Sequence, residues 1–198
     1  PVDPGVFMTV KSMGHSHTLP FDTDDPEIIR WFIFWLADRV GRRLRRDGFC
    51  GRTVTLAVRN SEMHGFARSK TIPTTTVSGH MLRDVALELF AEHVPPGMKV
   101  RLIGVGLSNL QPDRFRQLSL DGETQFRKVL DAMDTVKDKY GDSSITFAAL
   151  LDRPKKLVRK KIGIFLTNKD KGRPDSPLAP QQDHADPGPP AMHPLQRT

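Results

Sequence analysis

The stretch from Gly51 to Ile72 constrains the fold of this 198-residue chain more than any other part of the sequence. Its first half alternates apolar side chains with threonine and arginine, which is the period-two pattern of a β-strand with one buried face. Asn60 to Gly65 then supplies turn residues. Phe66 to Ile72 alternates again, with small residues on one side of the strand. The sequence therefore predicts a hairpin in a sheet that is covered by helices on one face and offers basic and hydroxyl groups on the other.

Two amphipathic helices flank this hairpin. The first begins at Pro26, with Asp25 as its N-cap, and runs to about Asp47, where Gly48 ends it. The second follows its predicted N-cap, Ser78, and ends before the Pro-Pro-Gly sequence at residues 95–97. Both helices carry apolar residues at helical spacing, which predicts that one side of each helix packs against the sheet.

Two further strands complete the predicted domain. One covers Phe7 to Thr18, and the other covers Lys99 to Leu107, where Gly104 marks a bulge or a close backbone approach. The element order is then strand, helix, strand, strand, helix, strand. We predict an α+β fold of the βαββαβ type, a four-stranded antiparallel sheet with two helices on one face, ferredoxin-like in outline, plus a C-terminal helical and disordered tail.

Composition divides the chain into five regions. Residues 1–6 read as a linker, residues 7–110 as the α+β domain, residues 111–123 as a second linker and residues 124–151 as a helical extension. Residues 152–198 begin as a basic run with one short strand at Ile162 to Leu166, and continue as a Pro-rich tail that we predict to be disordered. The chain begins at Pro1 without an initiator methionine, so we expect it to be a piece of a longer protein.

The charge balance favours a polyanionic partner. The chain has 30 Lys and Arg against 23 Asp and Glu, a formal net charge of +7, which favours nucleic acid over a membrane surface as the partner. Cys50 is the only cysteine, which excludes an intramolecular disulfide and a thiolate metal cage. This cysteine content suits a reducing, cytoplasmic compartment. No apolar run reaches the roughly 18 residues that a membrane span needs.

The candidate catalytic and metal-ligating residues have simpler explanations. His15 and His17 share one face of a strand, but no carboxylate or cysteine is spaced to complete a zinc site with them. Asp22, Asp24 and Asp25 stand at a helix start, where capping and compensation of the helix dipole account for them. The sequence contains neither a Gly-rich phosphate loop nor a nucleophile motif. It therefore predicts a binding module with no catalytic residue, metal ligand or cofactor of its own.

Basic and small residues on the predicted strands are candidates for contacting nucleic-acid phosphates. Small residues let a phosphate approach backbone N–H groups, and neighbouring cations neutralise its charge. The alternative is an ordinary solvated strand face. The candidate residues are Lys11, Ser12, Gly14, His15, Arg68, Ser69, Lys70 and Arg101.

Four segments in this order resemble a known family: KSMGHSHTLP, RRLRRDGFCGRTVTLAVR, FARSKT and KVRLIGVGLSNL. From about Val6 to Leu110 they look like the little-finger domain of Y-family translesion DNA polymerases, of the bacterial DNA polymerase IV type. The resemblance implies a domain that grips the template–primer duplex backbone during lesion bypass, DNA repair and SOS mutagenesis. The family's DNA contacts match the eight candidates above. Gly106 stands where the family commonly has a basic residue, so we expect that contact to be missing.

Gln117, Leu118 and Leu120 lie in a segment that looks like the sliding-clamp-binding peptide found after this domain in such polymerases. Asp121 replaces the usual final aromatic residue, which is expected to weaken insertion into an apolar clamp pocket. The alternative is a plain linker. The resemblance thus implies double-stranded primer–template DNA as one partner and the sliding clamp as a second, with the chain acting as a monomer and without a membrane.

The family's chemistry belongs to a palm domain, which we expect upstream of Pro1. The resemblance implies that two Mg²⁺ ions serve phosphoryl transfer there, so this chain is not itself an enzyme although its parent is a DNA-directed DNA polymerase. The competing interpretation is an RNA-recognition module, which has the same element order and stacks bases on aromatic residues of its central strands. The ARSKT stretch has no aromatic residue, and aromatic residues make up only 7% of the chain, which argues against this interpretation.

Overall fold

The computed structural model describes residues 10–113 and 123–159 of the chain. Four predictions lie outside the described residues: the linker at residues 1–6, the peptide at residues 117–120, the strand at residues 162–166 and the Pro-rich tail. None of the described helices is both long enough and apolar enough to cross a membrane.

The sheet has four long strands, all paired antiparallel: β1 (Ser12–Thr23), β2 (Phe49–Asn60), β3 (Gly65–Thr76) and β4 (Val100–Ser108). Their order is β1-β4-β2-β3, and the two-residue β5 (Gln111–Pro112) pairs with the start of β2. β1 and β2 are therefore parallel to each other with β4 between them, and β3 and β4 are parallel with β2 between them. These two interleaved split βαβ units confirm the predicted fold class.

Two helices, α1 (Pro26–Arg46) and α2 (Gly79–His93), pack against each other and against the sheet. The Asp25 carboxylate accepts a hydrogen bond from the backbone N–H of Glu27 at 3.1 Å, which confirms the predicted N-cap of α1. Gly48 has a φ of 71° just after the helix, where glycine is the favoured residue. Ser78 is the N-cap of α2 by position, but its side chain makes no capping bond.

The core lies between these helices and the sheet. Each large apolar side chain removed from water there contributes roughly 1.5–3 kcal/mol of transfer free energy. The largest fully buried side chains from α1, α2 and the central strands are Phe32, Ile28, Ile33, Leu36, Leu44, Leu56, Leu82, Ile103 and Leu107.

Both outer strands end later than the sequence predicts, and both contain a proline. β1 also begins later, at Ser12 instead of the predicted Phe7. The apolar alternation predicts strand ends at Thr18 and Ile72, but β1 continues through Pro20 and β3 through Pro73. A proline cannot donate a hydrogen bond to a neighbouring strand, so it is tolerated at the edge of a sheet. β1 and β3 are the two edges of this sheet, which explains why the prolines do not end them.

The two features that Gly104 predicts for β4 occur at different residues. The strand pairing skips Arg101 on both sides, since Val100 and Leu102 are paired with β1 and β2 but Arg101 is not. Arg101 is therefore the bulged residue. A Cβ on Gly104 would lie 3.2 Å from the Cβ of Ser16 on the neighbouring strand, so Gly104 is the residue of close approach.

A further set of helices packs on α1 and α2: α3 (Glu123–Tyr140), α4 (Ala148–Leu151) and α5 (Lys155–Arg159). α3 and α4 cover most of residues 124–151, the region predicted as a helical extension, and α5 falls in the predicted basic run. Trp31 of α1 donates its ring N–H to the carbonyl oxygen of Leu150 at 3.1 Å. Lys156 of α5 pairs with Asp25 at 2.7 Å. α1 thus has packing partners both in the sheet and in these three helices.

Candidate nucleic-acid interface

The register of the four long strands divides their side chains between two faces. Directly paired residues share a face, and the face alternates along each strand. Leu107 of β4 is buried and pairs with Met13 and Val54, so this row faces the helices. The rows that alternate with it lie on the opposite side, which we call the open face. Its four rows are Ser12–Ser108–Thr53–Thr71, Gly14–Gly106–Thr55–Ser69, Ser16–Gly104–Ala57–Ala67 and Thr18–Leu102–Arg59–Gly65.

The open face consists almost entirely of glycine, alanine, serine and threonine, so no large side chain rises from its first three rows. Its hydroxyls are joined in pairs across the strands. The oxygens Thr53 Oγ1 and Thr71 Oγ1 are 2.9 Å apart, and Thr55 Oγ1 and Ser69 Oγ are 2.8 Å apart. A nucleic-acid backbone can lie against such a flat surface, because hydroxyls donate hydrogen bonds to phosphate oxygens.

Arg68 and Lys70 do not join Ser69 on the open face. Arg68 is paired with Leu56 and Lys70 with Val54, and both of these β2 residues are buried on the helix side. The expectation that basic and hydroxyl groups share the uncovered face is therefore wrong for these two cations. Since β3 is an edge strand, both side chains are nevertheless exposed.

The two β3 cations differ in their partners. Lys70 forms an ion pair with Glu88 of α2, so a phosphate that reached it would compete with a carboxylate. The guanidinium of Arg68 lies 5.2 Å above the ring of Phe66 and donates to the carbonyl oxygen of Ala67 at 3.0 Å. No carboxylate is paired with Arg68 among the described residues, and this makes Arg68 the better candidate for a phosphate contact.

The candidates in Lys11 to His15 lie at the start of β1. The sequence instead places them toward the end of its predicted strand. Ser12 and Gly14 belong to the open face, and Lys11 is exposed just before it. His15 lies on the helix side, its ring 6.1 Å from that of Trp35. Burial, helped by the cation of Arg39, lowers the pKa of His15 below its ordinary value. His15 is therefore mainly neutral at pH 7 and offers no charge to a phosphate.

Arg101, the last candidate, stands at the bulge of β4. Its Nε lies 3.1 Å from Oδ1 of Asp22, and its Nη1 lies 3.9 Å from the sulfur of Met63. The structure therefore separates the eight candidates into three groups. Ser12, Gly14 and Ser69 lie on the open face. Lys11 is exposed just before β1 and Arg68 is exposed on the helix side of the edge strand β3, and neither is paired with a carboxylate of the described residues. His15, Lys70 and Arg101 are engaged by other residues of the domain.

Sequence reasoning missed the hydroxyls of Thr53, Thr55 and Thr71 as site residues. The threonines of β2 alternate with its buried residues, and this pattern already places them opposite the helices. These three threonines could have been identified from the sequence, because the alternation that locates the buried residues also locates the residues opposite them. Among the described residues, no group of three or more His, Cys, Asp or Glu side chains could hold a metal ion.

Known proteins resemble this chain over most of its described part. Residues 10–120 match the family described as impB/mucB/samB family C-terminal domain. The chain is 40% identical over 152 residues to a DNA polymerase IV of Moorella thermoacetica. This alignment covers 76% of this chain and 38% of that relative. It is 37% identical over 164 residues to a DNA polymerase IV of Pelotomaculum thermopropionicum, covering 82% and 40% respectively. The chain thus spans two fifths or less of the length of either relative.

A more distant likeness is found among solved structures. The complex of a beta-clamp processivity factor and the little finger domain of PolIV aligns with a TM-score of 0.43 at 19% identity, covering 55% of this chain and 97% of that one. This likeness is too weak to carry an argument.

Proposed function

Because this chain belongs to the impB/mucB/samB family of C-terminal domains, we propose that it grips the backbone of template–primer DNA as the little-finger domain of an error-prone Y-family polymerase. The family match over residues 10–120 confirms the resemblance that the sequence segments carry. A domain that works at damaged sites meets many sequences, so it must bind the DNA backbone and not the base edges.

The observation that carries this proposal is the open face. Its first three rows present hydroxyls and backbone with no large side chain, a surface that suits close contact with a phosphodiester chain. Arg59 lies in the fourth row of the same face. Lys11 is exposed just before β1, and Arg68 is exposed on the helix side of the edge strand β3. These cations would neutralise phosphates at the border of the contact.

The RNA-recognition alternative is not favoured. Such modules stack unpaired bases on aromatic side chains of the two central strands. The central strands here are β4 and β2. Their paired open-face residues are Ser108, Gly106, Gly104, Leu102, Thr53, Thr55, Ala57 and Arg59, and none of these is aromatic.

The parent protein, in this proposal, is a DNA-directed DNA polymerase of the DNA polymerase IV type that acts in the cytoplasm during lesion bypass. The chemistry would belong to a palm domain elsewhere in that protein, where carboxylates hold Mg²⁺ for phosphoryl transfer. The described residues do not fit a Mg²⁺ site of this kind, since no cluster of metal-binding side chains occurs among them. The role that we propose for this chain is to bind and position the duplex.

We also propose the sliding clamp as a partner, through Gln117, Leu118 and Leu120. Asp121 places a charge where an apolar pocket expects an aromatic ring, and burying an unpaired carboxylate is costly. Asp121→Phe should therefore tighten binding of the chain to the clamp in a calorimetric titration. The control is Asp121→Phe combined with Leu118→Ala, which should lose the gain. If Asp121→Phe binds no better than the unchanged chain, the segment is only a linker.

The direct test of duplex binding is fluorescence anisotropy with the 198-residue chain and a labelled primer–template DNA. The titration is repeated across a salt series and with a second duplex of unrelated sequence. We expect equal affinity for both sequences and a loss of affinity as the salt concentration rises. Absence of duplex binding, together with binding to single-stranded RNA, would refute the proposal.

Two edge variants refine this test. Arg68→Ala should weaken binding on both duplexes and make the salt slope shallower by about 1. Lys70→Ala should have a smaller effect, because Glu88 already engages that ammonium group. The matched control is Lys139→Ala on α3, whose ammonium lies 5.2 Å over the Tyr140 ring. Unchanged affinity in both edge variants would remove β3 cations from the interface.

A further inference from the structure

We propose that the paired hydroxyls of Thr53 with Thr71 and of Thr55 with Ser69 donate the hydrogen bonds that hold DNA phosphates on the open face, and that Asn109 positions the first pair. This inference rests on the proposed duplex binding and adds to it the atoms that make the contact. The ligand is a phosphate of the DNA backbone, held by neutral donors.

Counting hydrogens shows that each pair has one donor left. A threonine or serine hydroxyl has one hydrogen and two lone pairs. The 2.9 Å contact between the hydroxyls of Thr53 and Thr71 uses one of their two hydrogens, and the 2.8 Å contact between those of Thr55 and Ser69 does the same. Both contacts are exposed, so an acceptor from outside can reach the remaining hydrogen of each pair.

Asn109 gives the first pair a direction. Its Nδ2 donates to Thr53 Oγ1 at 2.7 Å. A hydroxyl that accepts such a bond becomes a stronger donor, which favours donation from Thr53 to Thr71. The hydrogen of Thr71 is then the one left for an outside acceptor. The result is a chain of hydrogen bonds from Asn109, which follows β4, through β2 to the edge strand β3.

The backbone of Asn109 supports this positioning role. Its φ is 54°, in the left-handed region, which asparagine tolerates better than most residues. The residue lies directly after the last residue of β4, Ser108, whose hydroxyl also reaches back to the carbonyl oxygen of Thr53 at 3.4 Å. The end of β4 is thus held against β2 by two side chains, at the row where the first hydroxyl pair lies.

The position of the two pairs suits an extended anion. Thr53 and Thr55 are two residues apart on β2, so the pairs are separated by about 6.7 Å along the strand. Gly106 pairs with Thr55 of the second pair. Because Gly106 has no side chain, a DNA backbone can approach the sheet closely at this row. Arg68 is exposed on the same edge strand as Ser69 and Thr71, although its side chain belongs to the opposite, helix-facing side of that strand.

The test measures duplex affinity of three variants by anisotropy at fixed salt. Thr71→Val keeps the shape of the side chain and suits a strand, but it removes the donor, so affinity should fall by about tenfold, the value of one hydrogen bond to a charged group. The duplex affinity of Ser69→Ala should fall by a similar factor. The salt slope should not change in either, because no cation is lost. The control is Thr135→Val, whose hydroxyl donates to the carbonyl oxygen of Asp131 within α3.

Asn109→Ala separates positioning from contact. It should weaken binding less than Thr71→Val, and the double variant should be no weaker than Thr71→Val alone, because both changes act on one donor. Thr71→Ser should restore binding, since serine keeps the hydroxyl. As a second readout, the phosphate that contacts Thr71 is replaced in the duplex by a neutral methylphosphonate. The unchanged chain should bind this duplex more weakly than the unmodified duplex. The Thr71→Val variant should bind both duplexes equally, because it has already lost the donor for that phosphate.

The outcomes are distinguishable. If the unchanged chain binds the duplex and both Thr71→Val and Ser69→Ala bind equally well, the hydroxyl pairs are not the donors and the proposed duplex binding stands. If the unchanged chain does not bind the duplex, the proposed function fails and this inference fails with it. A loss in Thr71→Val that Thr71→Ser does not restore would also overturn the inference, because it would show a packing effect.

Discussion

Replacing Asp134 by alanine tests whether the helical extension is an integral part of this fold. Arg45 of α1 has a side chain only 3% exposed, and that of Asp134 on α3 is 16% exposed. The Nε and Nη2 atoms of Arg45 donate to the two carboxylate oxygens of Asp134 at 2.6 and 3.0 Å, and its Nη1 donates to the carbonyl oxygen of Val77 at 3.0 Å. Asp134→Ala leaves a buried guanidinium with one of these three bonds.

The expected cost follows from the burial of this pair. Removing one partner of a buried ion pair costs about 3–5 kcal/mol, because the remaining charge stays buried without compensation. Water can approach the partly exposed carboxylate position, so we expect the lower end, about 3 kcal/mol. Arg45→Met combined with Asp134→Leu removes both charges and fills the same space, so this double variant should recover most of the loss.

The assay is urea unfolding of the 198-residue chain, with the midpoint and the slope compared among the variants. The control is Asp138→Ala, since Asp138 pairs with Arg42 at 2.7 Å but is 65% exposed; this change should cost less than about 1 kcal/mol. An Asp134→Ala cost as small as that of Asp138→Ala would refute the reasoning, and so would a double variant less stable than the single one.

Two further predictions concern the close helix contact and three half-buried histidines. Gly79→Ala should destabilise the fold by about 1–3 kcal/mol, because its Cβ would lie 2.8 Å from the Cα of Asp38. The control Gly106→Ala should cost less, because no atom would lie nearer than 3.4 Å to its Cβ. Equal costs for the two variants would contradict this explanation. The free energy of unfolding should fall as the pH drops below 6.5, because burial lowers the pKa of His15, His17 and His80 in the fold and the unfolded chain therefore binds protons more readily. Replacing all three by phenylalanine should flatten the urea stability profile between about pH 7 and pH 5, and an unchanged slope would show that other groups cause it.

The elements whose signals are local could be predicted from the sequence. The N-cap at Asp25 and the end of α1 at Gly48 depend on residues within one turn of the helix, and the structure has both where the sequence predicts them. The continuation of β1 through Pro20 and of β3 through Pro73 could not be predicted in this way. A proline ends a central strand but not an edge strand, and the strand order is a property of the whole sheet.

The composition of the site depends on long-range pairing in the same way. The alternation of β3 shows that Arg68 and Lys70 share a side and that Ser69 lies on the other. It does not show which side faces the helices, because β3 has too few apolar residues to mark its buried face. Only pairing with the strongly apolar β2 assigns the hydroxyl of Ser69 to the open face and the two cations to the helix side.

The same separation of charge from hydroxyls changes what is expected of the salt dependence. The sequence alone suggests a strong dependence, since the chain carries a net charge of +7. In the regularly paired rows of the described sheet, however, Arg59 is the one charged residue on the open face. If Arg59, Lys11 and Arg68 neutralise three phosphates, the logarithm of the binding constant should fall with the logarithm of salt concentration by a slope of about −3. Most of the remaining contact energy would then come from neutral hydroxyls, which high salt leaves intact. A domain built in this way would hold DNA weakly but would keep part of its grip as the salt concentration rises.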